Sequence, residues 1–288
     1  MFFELALEDL TRAADLFRPV WDRTRGVDGW VSLEVSPLLA HDTASTLAAA
    51  KALHARAGRP NLLIKIPGTK EGLPAIEEAI FAGIPINVTL LFSREQYLAA
   101  ADAFLRGIER RVDRRAPARE SARSPRCSSA GGTRRSRTGC RRRCAISSAS
   151  RSPSGRYKAY RALLGSPRWQ RVFNAGARPQ RLLWASTGTK DPGASDVLYV
   201  KALAAPFTVN TMPEGTLKAL ADHGALGEML PADGGDCEEV LARFASAGID
   251  VDALASQLQD EGAKSFVSSW HELMDVIAGK SAALAKAS

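Results

Sequence analysis

An α/β protein on parallel strands, of the TIM (β/α)8 barrel class, is the fold this sequence predicts, and three observations predict it. Short apolar runs alternate with amphipathic stretches at the spacing that parallel strands with crossover helices require. The 288 residues suffice for one large core, and a barrel of about 250 residues is typical of that size. Polar residues recur at the carboxyl ends of the apolar runs, where the loops of such a barrel gather.

From the amino end, Leu7, Leu10, Ala14 and Phe17 share one helical face, and Pro19 marks an end or a kink. Residues 29–37 read as a strand with Glu34 near its exit. Asp42 or Thr43 caps a helix that runs through Ala57 and closes at Gly58. Residues 61–66 form a short buried strand with Lys65 near its carboxyl end, and Pro67 and Gly68 turn the chain. A helix over 73–82 ends at Gly83, and 84–92 is the next strand. Ser93 and Gln96 make a capping box for a helix that buries Tyr97, Ala101, Phe104, Leu105, Ile108 and Val112. Later in the chain, 156–164 and 168–175 read as helices, and 180–186 as a strand running into Thr187 and Lys190. The last strand spans 206–213, and helices follow over 214–223, 238–247, 251–259 and 263–278.

An apolar content of 45% with 24% charged residues is that of an ordinary soluble globular chain, without an apolar run of membrane-spanning length. The opening Met1-Phe2-Phe3-Glu4-Leu5 lacks the basic and apolar regions of a signal peptide, so a cytoplasmic location is expected. The net charge of +8 is local. Residues 114–155 hold 12 Arg and one acid, Glu120, for +11, which leaves 8 − 11 = −3 for the rest.

That segment breaks the strand–helix rhythm. Of its 42 residues, 40 are Arg, Ser, Ala, Pro, Gly, Cys or Thr, the exceptions being Glu120 and Ile146. So little apolar bulk cannot offset the entropy of ordering, and no stable fold is expected there. A basic arm for nucleic acid or another polyanion is one reading. The other is a shifted reading frame, since all seven residue types have codons with G or C in the middle position. The absence of Lys favours the frameshift. Cys127, Cys140 and Cys144 lack the paired spacing of zinc ribbons and have no His beside them, so no metal site is expected.

Lined up by their strand ends, the candidate residues are Glu34, Lys65, Asn87 with Thr89, Ser186 with Lys190, and Asn210 with Thr211. Lys65 alone reads as a lysine whose stem crosses apolar neighbours to reach water. In this company it reads as an amine that attacks a ketone to form an imine, an electron sink for breaking a C–C bond. Glu34 would handle the protons, Asn87 and Thr89 would bind substrate hydroxyls, and the Ser186/Lys190 loop would hold a phosphate.

Leu63-Ile64-Lys65-Ile66-Pro67-Gly68-Thr69 and Asn87-Val88-Thr89-Leu90-Leu91-Phe92-Ser93, with segments 31–37, 184–190 and 210–213 in this order, resemble bacterial transaldolases. The resemblance covers 1–113 and 156–288. It implies a class I aldolase-type barrel of the pentose phosphate pathway that needs no metal or organic cofactor. The implied reaction moves a dihydroxyacetone unit from a ketose phosphate, such as sedoheptulose 7-phosphate, to an aldose phosphate, such as glyceraldehyde 3-phosphate. Lys65 is then the Schiff-base lysine and Glu34 the proton-handling acid. Asn87 and Thr89 line the site, and Ser186, with Lys190 as its cationic partner, takes the phosphate.

The same resemblance implies departures. The family's first strand, with a catalytic aspartate, and its second strand have no counterpart, so 1–113 supplies strands three to five and 156–288 strands seven and eight. The Ser-Arg pair of the family's sixth strand is absent from 114–155. An incomplete barrel with impaired or absent turnover is therefore expected. Two alternatives stand beside this reading: another barrel aldolase with a Schiff-base lysine, and a polyanion-binding protein acting through 114–155. Sugar phosphates are the partners expected under the main reading, without membrane or nucleic acid, and a homo-oligomer stays open.

Overall fold

Six strands among the described residues hydrogen-bond into one parallel sheet: β1 (Val31–Glu34), β2 (Leu62–Pro67), β3 (Ile86–Thr89), β4 (Arg126–Ala130), β5 (Arg181–Ala185) and β6 (Val209–Thr211). The computed structural model describes residues 2–114, 126–130, 142–189 and 191–287. Each strand pairs with the next in sequence, which is the singly wound order of an α/β barrel. A doubly wound sheet reverses its order at a switch point, and none occurs here. Since all the strands run one way, their carboxyl ends share one edge.

The helices are α1 (Phe2–Arg23), α2 (Thr43–Ala57), α3 (Gly72–Phe81), α4 (Arg94–Asp113), α5 (Arg142–Gly165), α6 (Pro167–Asn174), α7 (Leu198–Ala202), α8 (Glu214–His223), α9 (Cys237–Ser246) and α10 (Val251–Ala287). Their ends follow local chemistry. Asp42 accepts a hydrogen bond from the Ser45 amide at 3.0 Å, and Gly58 closes α2 at φ 56°, a left-handed turn that costs glycine nothing. Ser93 and Gln96 form the reciprocal capping box of α4, at 3.0 and 3.2 Å.

Alternation along β2 separates two faces. Leu62, Ile64 and Ile66 are fully buried in the main core with Ile76 and Ile80 of α3 and Tyr97, Phe104 and Ile108 of α4. Leu63 and Lys65 face the other way, and Leu63 packs with Trp21 and Trp30. Asn61, buried just before β2, ties this layer to α1. Its amide donates to the carbonyls of Ala14 at 2.8 Å and Gly29 at 2.9 Å.

The structure corrects three expectations. First, Pro19 does not end α1, which continues to Arg23, while Phe17 is 49% exposed rather than on the buried face. Trp21 holds the last turn by packing edge-on against Trp30. Second, the arginine-rich stretch is not without regular structure. β4 pairs in parallel with β3 and β5, and α5 begins at Arg142 and crosses the expected boundary at 155–156. A gap between β3 and β5 would leave unpaired main-chain groups on both, and a main-chain ladder satisfies them without large side chains. Residues 115–125 and 131–141 lie outside the described residues. Third, the helices expected over 251–259 and 263–278 are one helix, α10. Gly262 does not interrupt it, because a Cβ there would come within 2.9 Å of the Leu90 side chain, so the glycine permits a close approach instead.

Gly107 does the same between α4 and α3. A Cβ there would meet the Glu77 carbonyl oxygen at 2.7 Å and Ile80 at 2.8 Å. Alanine gains about 1 kcal/mol over glycine in a helix interior, while overpacking costs about 1–3 kcal/mol. The backbone oxygen cannot step aside, so the second effect wins. Gly107→Ala is expected to lower the urea midpoint at unchanged m-value.

An ionic network also joins α3, α4 and α6. Arg168 grips Glu109 in a bidentate pair at 2.8 Å on each arm and reaches Asp102 at 2.5 Å. Arg106 and Arg110 donate to Glu77 at 2.6 and 3.0 Å. Hydrogen bonding from Arg168 holds the Glu109 carboxyl below the ordinary carboxylate range. At Glu77 burial works against the charge, but Arg106 and Arg110 prevail and lower it too. A lowered carboxylate contributes stability that is complete above its unfolded value, about 4.3, and is lost as pH falls through the lower folded value. Stability is expected to fall as pH drops below about 4, and to fall less steeply in Arg168→Met, as read from urea midpoints along a pH series.

Candidate active site

Register brings the first three strand ends together. Glu34 is opposite Lys65, and Lys65 is opposite Asn87, so the three residues stand in one row across β1, β2 and β3. Residues in register on parallel strands face the same side, away from the helix-side core. Lys65 Nζ donates to Glu34 Oε2 at 2.8 Å, and both side chains are about three-quarters to two-thirds withdrawn from solvent, at 24% and 33% exposure. Asn87 Nδ2 donates to Ser32 Oγ at 3.2 Å, and its Oδ1 is buried with no hydrogen-bond partner among the described residues. A buried acceptor without a partner beside a lysine is a place for a ligand hydroxyl. Thr89, buried and two residues further along, lies opposite Pro67 at the rim.

The β5 end stands apart from this row. Ser186 leaves the strand at φ 56° and is exposed, and among the described residues no hydrogen bond joins it to Lys65. Its neighbour Thr187 is the buried one, and its hydroxyl donates to Asn210 Oδ1 at 2.6 Å, linking the ends of β5 and β6. Lys190 lies outside the described residues.

Sequence reasoning missed the contribution of α10. Gln259 Nε2 donates to the carbonyls of Gly68 at 3.0 Å and Leu90 at 2.8 Å, the residues that follow β2 and β3. Leu90 sits at φ 61°, a left-handed conformation disfavoured for a side chain with a Cβ, and the Gln259 amide helps hold it. The Phe266 ring lies 5.5 Å from Lys65 Nζ, within cation–π range. A small cleft is lined by Glu34 and Ser36 at the β1 exit, Ala263 and Phe266 of α10, and Pro67 and Leu90. The signal was there to find: Gln259, Gly262, Ala263 and Phe266 repeat at i, i+3, i+4 and i+7, one helical face with a glycine in it.

Together these groups can form and protonate an adduct on an amine: a lysine, a carboxylate touching it, an amide acceptor alongside and an aromatic face over the nitrogen. The chain is similar to proteins already known. A family model described as "Transaldolase/Fructose-6-phosphate aldolase" matches residues 1–277. A transaldolase of Parafrankia sp. (strain EAN1pec) is 44% identical over 277 residues, covering 93% of this chain and 75% of that protein. One of Thermobifida fusca (strain YX) is 45% identical over 283 residues, covering 96% and 77%. One of Arthrobacter sp. (strain FB24) is 41% identical over 299 residues, covering 99% and 79%. With a match along nearly its whole length and relatives this similar, the chain belongs to the transaldolase/fructose-6-phosphate aldolase family.

Proposed function

We propose that this chain is a transaldolase that carries a dihydroxyacetone unit on Lys65 as a Schiff base, passing it from a ketose phosphate to an aldose phosphate. The observation that supports this most is the 2.8 Å contact between Lys65 Nζ and Glu34 Oε2 at the carboxyl edge of the sheet, with Asn87 in register beside it.

The contact sets the order of events. Lys65 passes a proton to Glu34, and the neutral amine attacks the ketose carbonyl carbon. The protonated Glu34 returns the proton to the departing hydroxyl, water leaves, and a protonated imine remains. Cleavage of the adjacent C–C bond sends its electron pair into that imine and releases an aldose, while the Glu34 carboxylate, ionised again, takes the hydroxyl proton. The resulting enamine attacks the acceptor aldehyde, and water then frees the product. Asn87 Oδ1 is free to accept a hydrogen bond from a sugar hydroxyl, with Thr89 at the rim as a second polar contact. Ser186, exposed at the β5 exit, is offered as a phosphate contact, with Lys190 as its partner.

Several finer points belong to the same reading. The sheet is taken as part of a TIM-barrel-type fold, the location as cytoplasmic, and the partners as sugar phosphates. No described helix is long and apolar enough to cross a membrane. The family match favours this chemistry over polyanion binding through 114–155. The relatives named above are called transaldolases, which favours transfer over simple aldol cleavage.

Incubation of the purified chain with fructose 6-phosphate and erythrose 4-phosphate is expected to give transfer that Lys65→Ala abolishes. No transfer by the wild type, with the imine still trapped by borohydride on Lys65, is the result that the expectation of impairment requires. Failure of borohydride and ketose to label Lys65 would sink the Schiff-base reading itself. Glu34→Gln is expected to slow imine formation about 10²–10⁴-fold, the usual cost of a lost acid–base group. Rapid-quench trapping measures it, and an unchanged rate removes Glu34 from the mechanism.

A further inference from the structure

α10 does more than cover the sheet edge. Its Gln259 amide binds the two residues that follow the strands carrying Lys65 and Asn87. Four residues earlier the Ala255 carbonyl accepts from Gln96 Nε2 at 3.4 Å, which fastens the helix to the start of α4. Beyond Phe266, Trp270 packs on Phe2 at 4.9 Å and Phe3 at 5.7 Å between ring centroids. The helix is therefore pinned on both sides of Phe266.

Phe266 itself has an odd setting for an apolar residue. It is 39% exposed, and its ring centroid lies 5.5 Å from the Lys65 ammonium. A part-exposed ring this close to the nitrogen can stand between it and water. A protonated imine formed at that nitrogen keeps the positive charge, so the attraction that places the ring over the amine also places it over the adduct.

We propose that Phe266, positioned by Gln259, shields the Lys65 imine from water and so lengthens the life of the covalent intermediate. This rests on the Schiff-base reading of Lys65. The step it slows is hydrolysis. A water oxygen bonds to the imine carbon as the C=N π pair moves to Nζ, and Glu34 takes a water proton. Glu34 then returns that proton to Nζ and takes the carbinolamine hydroxyl proton as the C–N bond breaks. The ketone leaves, and Lys65 is again an amine. An adduct protected from this sequence waits for an aldehyde, which is what separates transfer from release. Phe266 is a positioning residue in this scheme, and Glu34 does the proton chemistry.

The test follows the adduct and does not require complete turnover. The full chain is loaded with dihydroxyacetone and diluted into buffer without it. Samples are quenched with borohydride over time, and the reduced Lys65 adduct is quantified by mass. Phe266→Ala is expected to shorten the adduct lifetime about two- to fivefold, the scale of one part-exposed cation–π contact. Phe266→Leu, which keeps an apolar plate but loses the ring's attraction for the charge, is expected to fall between Phe266→Ala and wild type, and Gln259→Ala to shorten the lifetime with the ring intact. Because only molecules that formed the adduct are followed, partial misfolding does not imitate the effect. A wild-type lifetime in Phe266→Ala overturns this inference alone. No adduct on wild-type Lys65 overturns it together with the Schiff-base reading.

Discussion

An ammonium and a carboxylate withdrawn from water to within 2.8 Å of each other are costly to place, because each loses hydration that their mutual attraction repays only in good geometry. Parallel pairing supplies the geometry here. β1 and β2 set Glu34 and Lys65 opposite one another, and the backbone ladder holds both strands without help from either side chain. The pair is therefore better understood as something the sheet holds for use than as a source of stability. Everything else at the site refers to it. β3 sets Asn87 in the same row, and α10 sets Phe266 over the nitrogen.

How much of this was legible in the chain depends on how local the cause is. Helix ends were readable at Asp42, Gly58, Ser93 and Gln96, because a cap is settled within four residues. Lys65 and Glu34 were legible as strand-end residues, and parallel pairing turned two separate positions into a contact. β4 was not legible. Its side chains carry almost no strand signal, and its place comes from unpaired main-chain groups on β3 and β5 that lie far away in sequence. The inward turn of Thr187 was not legible either, for a smaller reason. Thr187 falls on the face of Arg181, Leu183 and Ala185, which register sets alongside Asn87, and Ser186 leaves the strand in a left-handed conformation on the other side.

Gly262 shows how one residue type serves two purposes. In sequence it reads as a helix breaker, since glycine in a helix interior costs about 1 kcal/mol. In the fold it lets α10 come within contact of Leu90, and that closeness allows Gln259 to reach the strand ends. The cost is a few tenths of the stability one well-packed apolar side chain supplies, about 1.5–3 kcal/mol. Local propensity yields to tertiary contact where the contact is this specific.

The hydrogen bonds from Gln259 to Gly68 and Leu90 span 191 and 169 residues of chain. During synthesis at about 5–20 residues per second, the two lysine-side strands leave the ribosome on the order of 10–40 s before the helix that closes over them. Through that interval the strand exits have no Gln259 amide, and Lys65 has no aromatic cover. A growing chain thus leaves the Lys65 side of the sheet edge uncovered, and closure waits for a helix made 169 to 191 residues later.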